Sequence, residues 1–88
     1  MFTIIGYMAI ELDETIKVGA VFSKGAIRPV WFSWKGRQVR IRETTFIWTT
    51  FKGSSTIHHF SVSDGKRLYE ICFQSDSLHW RLARAEES

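Results

Sequence analysis

His58, His59, Glu70 and Cys72 are the side chains of this 88-residue sequence whose types and spacing invite chemistry. Neighbouring strand residues point to opposite faces, so His58 and His59 cannot chelate one ion in regular β geometry. If the chain reverses at Asp64-Gly65, His59 falls directly across from Glu70 and diagonal to Cys72. That trio could bind zinc weakly, or the imidazole could lower the thiol pKa. The simpler account is a cross-strand His–Glu hydrogen bond beside a small hydrophobe, since no Cys-x-x-Cys or His-x-x-x-His spacing supports a metal. His79 stands alone on the outer face of the last strand. Ser54 and Ser55 follow Gly53 without a Gly-x-Ser-x-Gly elbow. Asp64 and Asp76 sit where turns already use their side chains, and no Gly-rich phosphate loop is present. The expectation is a protein with no catalytic residues, no metal, no cofactor and no small-molecule substrate.

Binding is the stronger lead. Residues 28–43 read Arg-Pro-Val-Trp-Phe-Ser-Trp-Lys-Gly-Arg-Gln-Val-Arg-Ile-Arg-Glu, an alternation broken by one Lys-Gly pair. A two-residue turn at Lys35-Gly36 pairs Trp34 with Arg37, Phe32 with Val39 and Val30 with Ile41 on an apolar face. The other face then pairs Ser33 with Gln38, Trp31 with Arg40 and Pro29 with Arg42. Arg28 and Glu43 follow as an ion pair at the hairpin base. Cross-strand neighbours lie about 4.5–5.5 Å apart, close enough for the Arg40 guanidinium to cover the Trp31 indole. Trp31, Arg40, Arg42, Lys35, Arg37 and Lys17 therefore form the candidate binding set. A stacking ring among cations suits single-stranded nucleic acid, and Trp with Arg equally suits a protein partner, docked there or on a free sheet edge. Against this, Trp31 could be covered by the N-terminal segment or the Phe46/Trp48 region.

The charge distribution agrees with an anionic partner. The formal net charge is only +3, yet no acid occurs between Thr15 and Arg42, where Lys17, Lys24, Arg28, Lys35, Arg37, Arg40 and Arg42 all fall. A solvated face that keeps a β-protein soluble would look the same. The single cysteine rules out an intrachain disulfide, so stability must come from burying seven Phe, four Trp and two Tyr. The apolar start, residues 1–12, lacks a basic leader and is far shorter than the roughly 20 residues that span a bilayer. A cytoplasmic protein without membrane attachment is expected.

These residues need strands to position them. Ile16, Val18, Ala20 and Phe22 alternate as a first strand after a turn-like Asp13-Glu14-Thr15. Pro29 marks the second strand as an edge or as bulged, and a bend near Glu43-Thr44 would let the long third segment serve two parts of a curled sheet. A hairpin about Asp64-Gly65 places Phe60, Val62, Tyr69, Ile71 and Phe73 inward, pairing Ser63 with Lys66 and Phe60 with Tyr69. Leu78, Trp80 and Leu82 face inward from the last strand, and the chain frays from Ala83. The expected fold is all-β, about six antiparallel strands in a curled sheet or small open, SH3-like barrel. A single domain covers residues 13–85, with 1–12 an extension or extra strand and 86–88 a frayed tail.

The run Pro29-Val30-Trp31-Phe32-Ser33-Trp34-Lys35-Gly36-Arg37, its basic alternation through Glu43 and the later Trp48 resemble a family of small bacterial proteins of unknown function. Ile16-Lys17-Val18 and Trp80-Arg81-Leu82 also fit, so the likeness covers roughly residues 13–85. Val39 stands where many members carry Tyr, a change that keeps the core role. The resemblance implies a compact β-domain and brings no known activity or catalytic residue.

Overall fold

A computed structural model describes residues 9–86, which contain eight strands and no helix. They are β1 (Ala9–Ile16), β2 (Val18–Ser23), β3 (Ala26–Trp34), β4 (Arg37–Arg40), β5 (Glu43–Lys52), β6 (Ser55–Ser63), β7 (Leu68–Gln74) and β8 (His79–Glu86). A five-stranded sheet runs β1-β8-β7-β6-β5 and a three-stranded sheet runs β2-β3-β4, with every pairing antiparallel.

The fold is all-β, with eight strands rather than about six, because two expected strands break where they change sheets. β1 passes to β2 through Lys17 alone, whose carbonyl accepts the Ser33 N–H at 2.9 Å. β4 passes to β5 through Ile41 and Arg42: Ile41 N–H donates to Val30 of the small sheet at 2.9 Å, and Arg42 N–H to Ser63 of the large one at 2.8 Å. Consecutive amides thus serve different sheets, and no backbone donor is stranded at that corner. The hairpin consequently ends earlier than expected. Arg28 pairs with Val21 and Glu43 with Ser63, so the Pro29–Arg42 pairing and the Arg28–Glu43 ion pair do not form.

Turn chemistry fixes the registers. Lys35 and Gly36 both take positive φ (53° and 75°), the conformation a two-residue hairpin needs. The ladder then runs as expected from Trp34↔Arg37 to Trp31↔Arg40. The Asp64 loop differs. Asp64 Oδ1 accepts the N–H groups of Lys66 and Arg67, each at 2.8 Å, and Asp64 N–H donates to the Arg67 carbonyl at 3.2 Å. These bonds hold four residues in the loop, so Ser63 pairs with Leu68 instead of Lys66. The shift is even. It changes partners, setting Phe60 against Ile71 and Val62 against Tyr69, but leaves the same side chains inward.

Both sheets supply the core. Phe32 (0% exposed), Trp34 and Val39 meet Phe60, Val62, Tyr69, Ile71 and Leu82, with Phe32 and Tyr69 edge to face at 5.1 Å. Pro29 lies in the middle strand of the small sheet beside a bulge, since Trp31 pairs with Gly19 and Pro29 with Ala20, leaving Val30 unmatched on β2.

Three further expectations change. Asp13-Glu14-Thr15 belongs to β1, with a register shift between Glu11 and Glu14, rather than to a turn. Leu78 is 72% exposed in the β7–β8 turn at φ 58°. The chain beyond Ala83 does not fray before Glu86. β8 is held on its outer side by β1, Ala85 is buried, and Glu86 Oε1 accepts the Leu68 N–H at 2.9 Å. Of the expected N-terminal extension, residues 9–12 are strand; residues 1–8 and the tail positions 87–88 lie outside the described residues.

Candidate functional site

The β3–β4 hairpin presents two different aromatic faces. On the inner one Trp34 is buried against Tyr69, ring centroids 6.1 Å apart, and Lys35 Nζ sits 4.8 Å over its ring. On the outer one Trp31 and Arg40 are direct cross-strand neighbours, as the register requires. The hairpin's cation–π contact is nevertheless Lys35 on Trp34, not Arg40 on Trp31. The cause is Gly19. The indole of Trp31 lies where a Gly19 side chain would be, so that a Cβ there would overlap its Nε1. Trp31 therefore leans over β2, half-buried, and Arg40 remains exposed.

Arg40 instead lines an open cleft of about 400 Å³ with Arg37, Asp64, Lys66 and Arg67. β4 is an edge of the small sheet. Its Arg37 and Arg40 sit three positions apart, and the loop between β6 and β7 supplies the opposite wall. Arg42 flanks the same loop, since a Cβ on Gly65 would come within 2.9 Å of its Cδ. Four cations against one carboxylate leave the cleft at +3, equal to the formal charge of the whole chain.

Asp64 is occupied as a structural acceptor. Burial pushes its carboxyl up, but the Arg67 and Lys66 amides and the Tyr69 hydroxyl (donating at 3.2 Å) outweigh that and hold it below the ordinary range. The Tyr69 phenol is pushed up, by burial first and then by the Asp64 charge. Arg67 also acts on Asp64 and Tyr69, while Arg37, Arg40 and Lys66 are exposed along the cleft.

Of the expected binding set, the structure brings Arg37, Arg40 and Arg42 together around one loop. Trp31 stands beside Arg40, Lys35 lies on Trp34, and Lys17 sits at the β1–β2 corner outside the cleft. Lys66 and Arg67 are the additions. The sequence signal was Asp64-Gly65 followed by Lys66 and Arg67, which a two-residue turn assigns to a strand.

The His59, Glu70 and Cys72 cluster lies on the outer face of the large sheet with partners exchanged. His59 pairs directly with Cys72, and Glu70 with Ser61. His59 Nε2 is 2.7 Å from Thr50 Oγ1, its Nδ1 is 3.5 Å from Glu70 Oε2, and its ring stacks on Trp48 at 5.0 Å and 7°. Burial, then the Glu70 charge, pushes the Cys72 thiol up, opposite to activation. Glu70 continues toward Arg84 Nη1 (4.0 Å), and Arg84 Nη2 toward Glu11 (2.8 Å), so a polar ladder crosses all five strands. Among the described residues, no group of three or more His, Cys, Asp or Glu side chains is placed to hold a metal ion. His58 faces the opposite side, 6.2 Å from Phe73. Among the described residues no helix is long and apolar enough to cross a membrane. Compared with protein-family models, curated proteins and solved structures, the chain matches none.

Proposed function

We propose that this domain is a non-catalytic binding module for an anionic partner, single-stranded nucleic acid being the partner whose chemistry fits best. The observation that carries the reading is the cleft in which Arg37, Arg40, Lys66 and Arg67 converge on one open space. A single strand is held by cations along its backbone and by aromatic rings under its bases, and Trp31, half-buried over β2, is the cross-strand neighbour of Arg40. The non-catalytic part rests on His59, which is engaged by Thr50, Glu70 and Trp48, and on a Cys72 thiol that burial keeps protonated. A lone, unactivated cysteine suits a reducing, cytoplasmic setting.

Titrating intrinsic Trp fluorescence with a single-stranded oligonucleotide at low and moderate salt tests the proposal. Saturable quenching that weakens with salt is the expected result. A flat titration at low salt overturns the nucleic-acid reading and points the module toward a protein partner.

A further inference from the structure

β5 is the longest sheet edge among the described strands, and its side chains invite a partner. It closes the large sheet on one side, hydrogen-bonded only to β6 among the described strands. Its ten residues span about 33 Å and leave a row of unpaired backbone groups along the outer edge. Phe46 (63%), Ile47 (56%) and Phe51 (73%) are exposed along it. The other edges are shorter: β2 has six uncharged residues with a register shift after Gly19, although Val21 and Phe22 are exposed, and the remaining two carry charges. β1 has Glu11, Asp13 and Glu14 and a register shift, and β4 is four residues long with Arg37 and Arg40. β5 has no charge between its terminal Glu43 and Lys52.

We propose that β5 pairs antiparallel with β5 of a second copy of this chain, about a two-fold axis through Trp48. The charge pattern of the strand selects this occupant. Glu43, Phe46, Trp48, Thr50 and Lys52 share the outer face, because they pair with Ser63, Ser61, His59, Ile57 and Ser55, alternate residues of β6. The extra residue at Thr45 makes this possible, since it shifts Glu43 onto the same face as Phe46. Reversing such a strand against itself sets Trp48 beside the partner's Trp48, Phe46 beside the partner's Thr50, and Glu43 beside the partner's Lys52. Both ends of the pair then carry opposite charges. Among the described residues neither Glu43 nor Lys52 takes part in an ion pair, although Lys52 lies near enough to Asp13 to help hold that carboxyl below its usual range. On the inner face Ile47 meets the partner's Thr49, and Phe51 the partner's Thr44. The assembly is a continuous ten-stranded sheet across two molecules.

Sedimentation of the full chain over a range of concentrations tests this. The wild type is expected to reach a dimer. Glu43→Lys or Lys52→Glu places like charges at both ends and should weaken the dimer about ten-fold or more. The double variant Glu43→Lys/Lys52→Glu exchanges the signs and should return the affinity to within about two-fold of wild type. All the substituted positions are exposed, and unchanged thermal unfolding at low concentration would show that each variant folds. A wild type that stays monomeric overturns the proposal. So does a dimer indifferent to the single changes, or one that the double exchange fails to restore.

Discussion

Replacing Arg37 and Arg40 together by Ala removes half of the cations that line the cleft between β4 and the Asp64 loop. Each phosphate neutralised on a single strand contributes roughly −0.7 to the slope of log K against log salt. If the cleft binds a single strand as proposed, its +3 charge would engage three phosphates, and a four-fold rise in salt should weaken binding about 20-fold. The double variant leaves one, so the same rise should weaken binding only about 2.5-fold. Both side chains are exposed, and stability should move by less than about 0.5 kcal/mol per site. The assay is oligonucleotide titration of Trp fluorescence at several salt concentrations, with thermal unfolding as control. A double variant that keeps the wild-type slope would refute the reasoning, because phosphate contacts would then lie elsewhere. So would a large loss of stability, which would make the two arginines structural.

Further outcomes follow from the core and the loops. Phe32→Ala empties the centre of the contact between the sheets and should cost about 3–5 kcal/mol, read as a lowered denaturant midpoint. Gly19→Val would force the Trp31 indole off β2, changing its fluorescence maximum while the Trp34-to-Arg37 end of the hairpin keeps its register. Asp64 has a folded pKa below its unfolded one, so its contribution to stability is present above about pH 4 and is lost as pH falls through the folded value. Asp64→Asn should therefore destabilise the domain by about 1 kcal/mol at neutral pH, and the gap between the two proteins should close in acid melts. A gap that persists unchanged below the folded pKa would show that the charge is not what holds the loop.

What the sequence disclosed was local. Lys35-Gly36 flanked by strict alternation gave the register of β3 and β4, since turn type and side-chain period agree there. The inward set of β6 and β7 survived a wrong pairing because the Asp64 loop is longer by an even number of residues. The same error hid Lys66 and Arg67 from the candidate site. Alternation says which residues turn inward but not which sheet they belong to, so the break at Lys17 carried no signal, and the one at Ile41–Arg42 was read only as a bend two residues later, near Glu43-Thr44. β1 was obscured by its own register shift, which disrupts alternation at Asp13. The Trp31 stack failed for a third reason: a glycine on the strand behind it offers a gap that a guanidinium cannot match.

The pairing of β1 with β8 joins Ala9 to Glu86, at opposite ends of the described chain. Closing the 63-residue span between Ile16 and Trp80, rather than a turn of two to four residues, costs roughly 2.5–3 kcal/mol more in chain entropy, and nothing local repays it beforehand. The hairpins β3–β4, β5–β6 and β6–β7 can each assemble from neighbouring residues, whereas β1 must wait for a finished β8 to zip against. Folding order is therefore written into the topology. Until that last strand arrives, the row of β8 amides that β1 will cover stands open, and this interval is when an unfinished chain is most vulnerable to joining another.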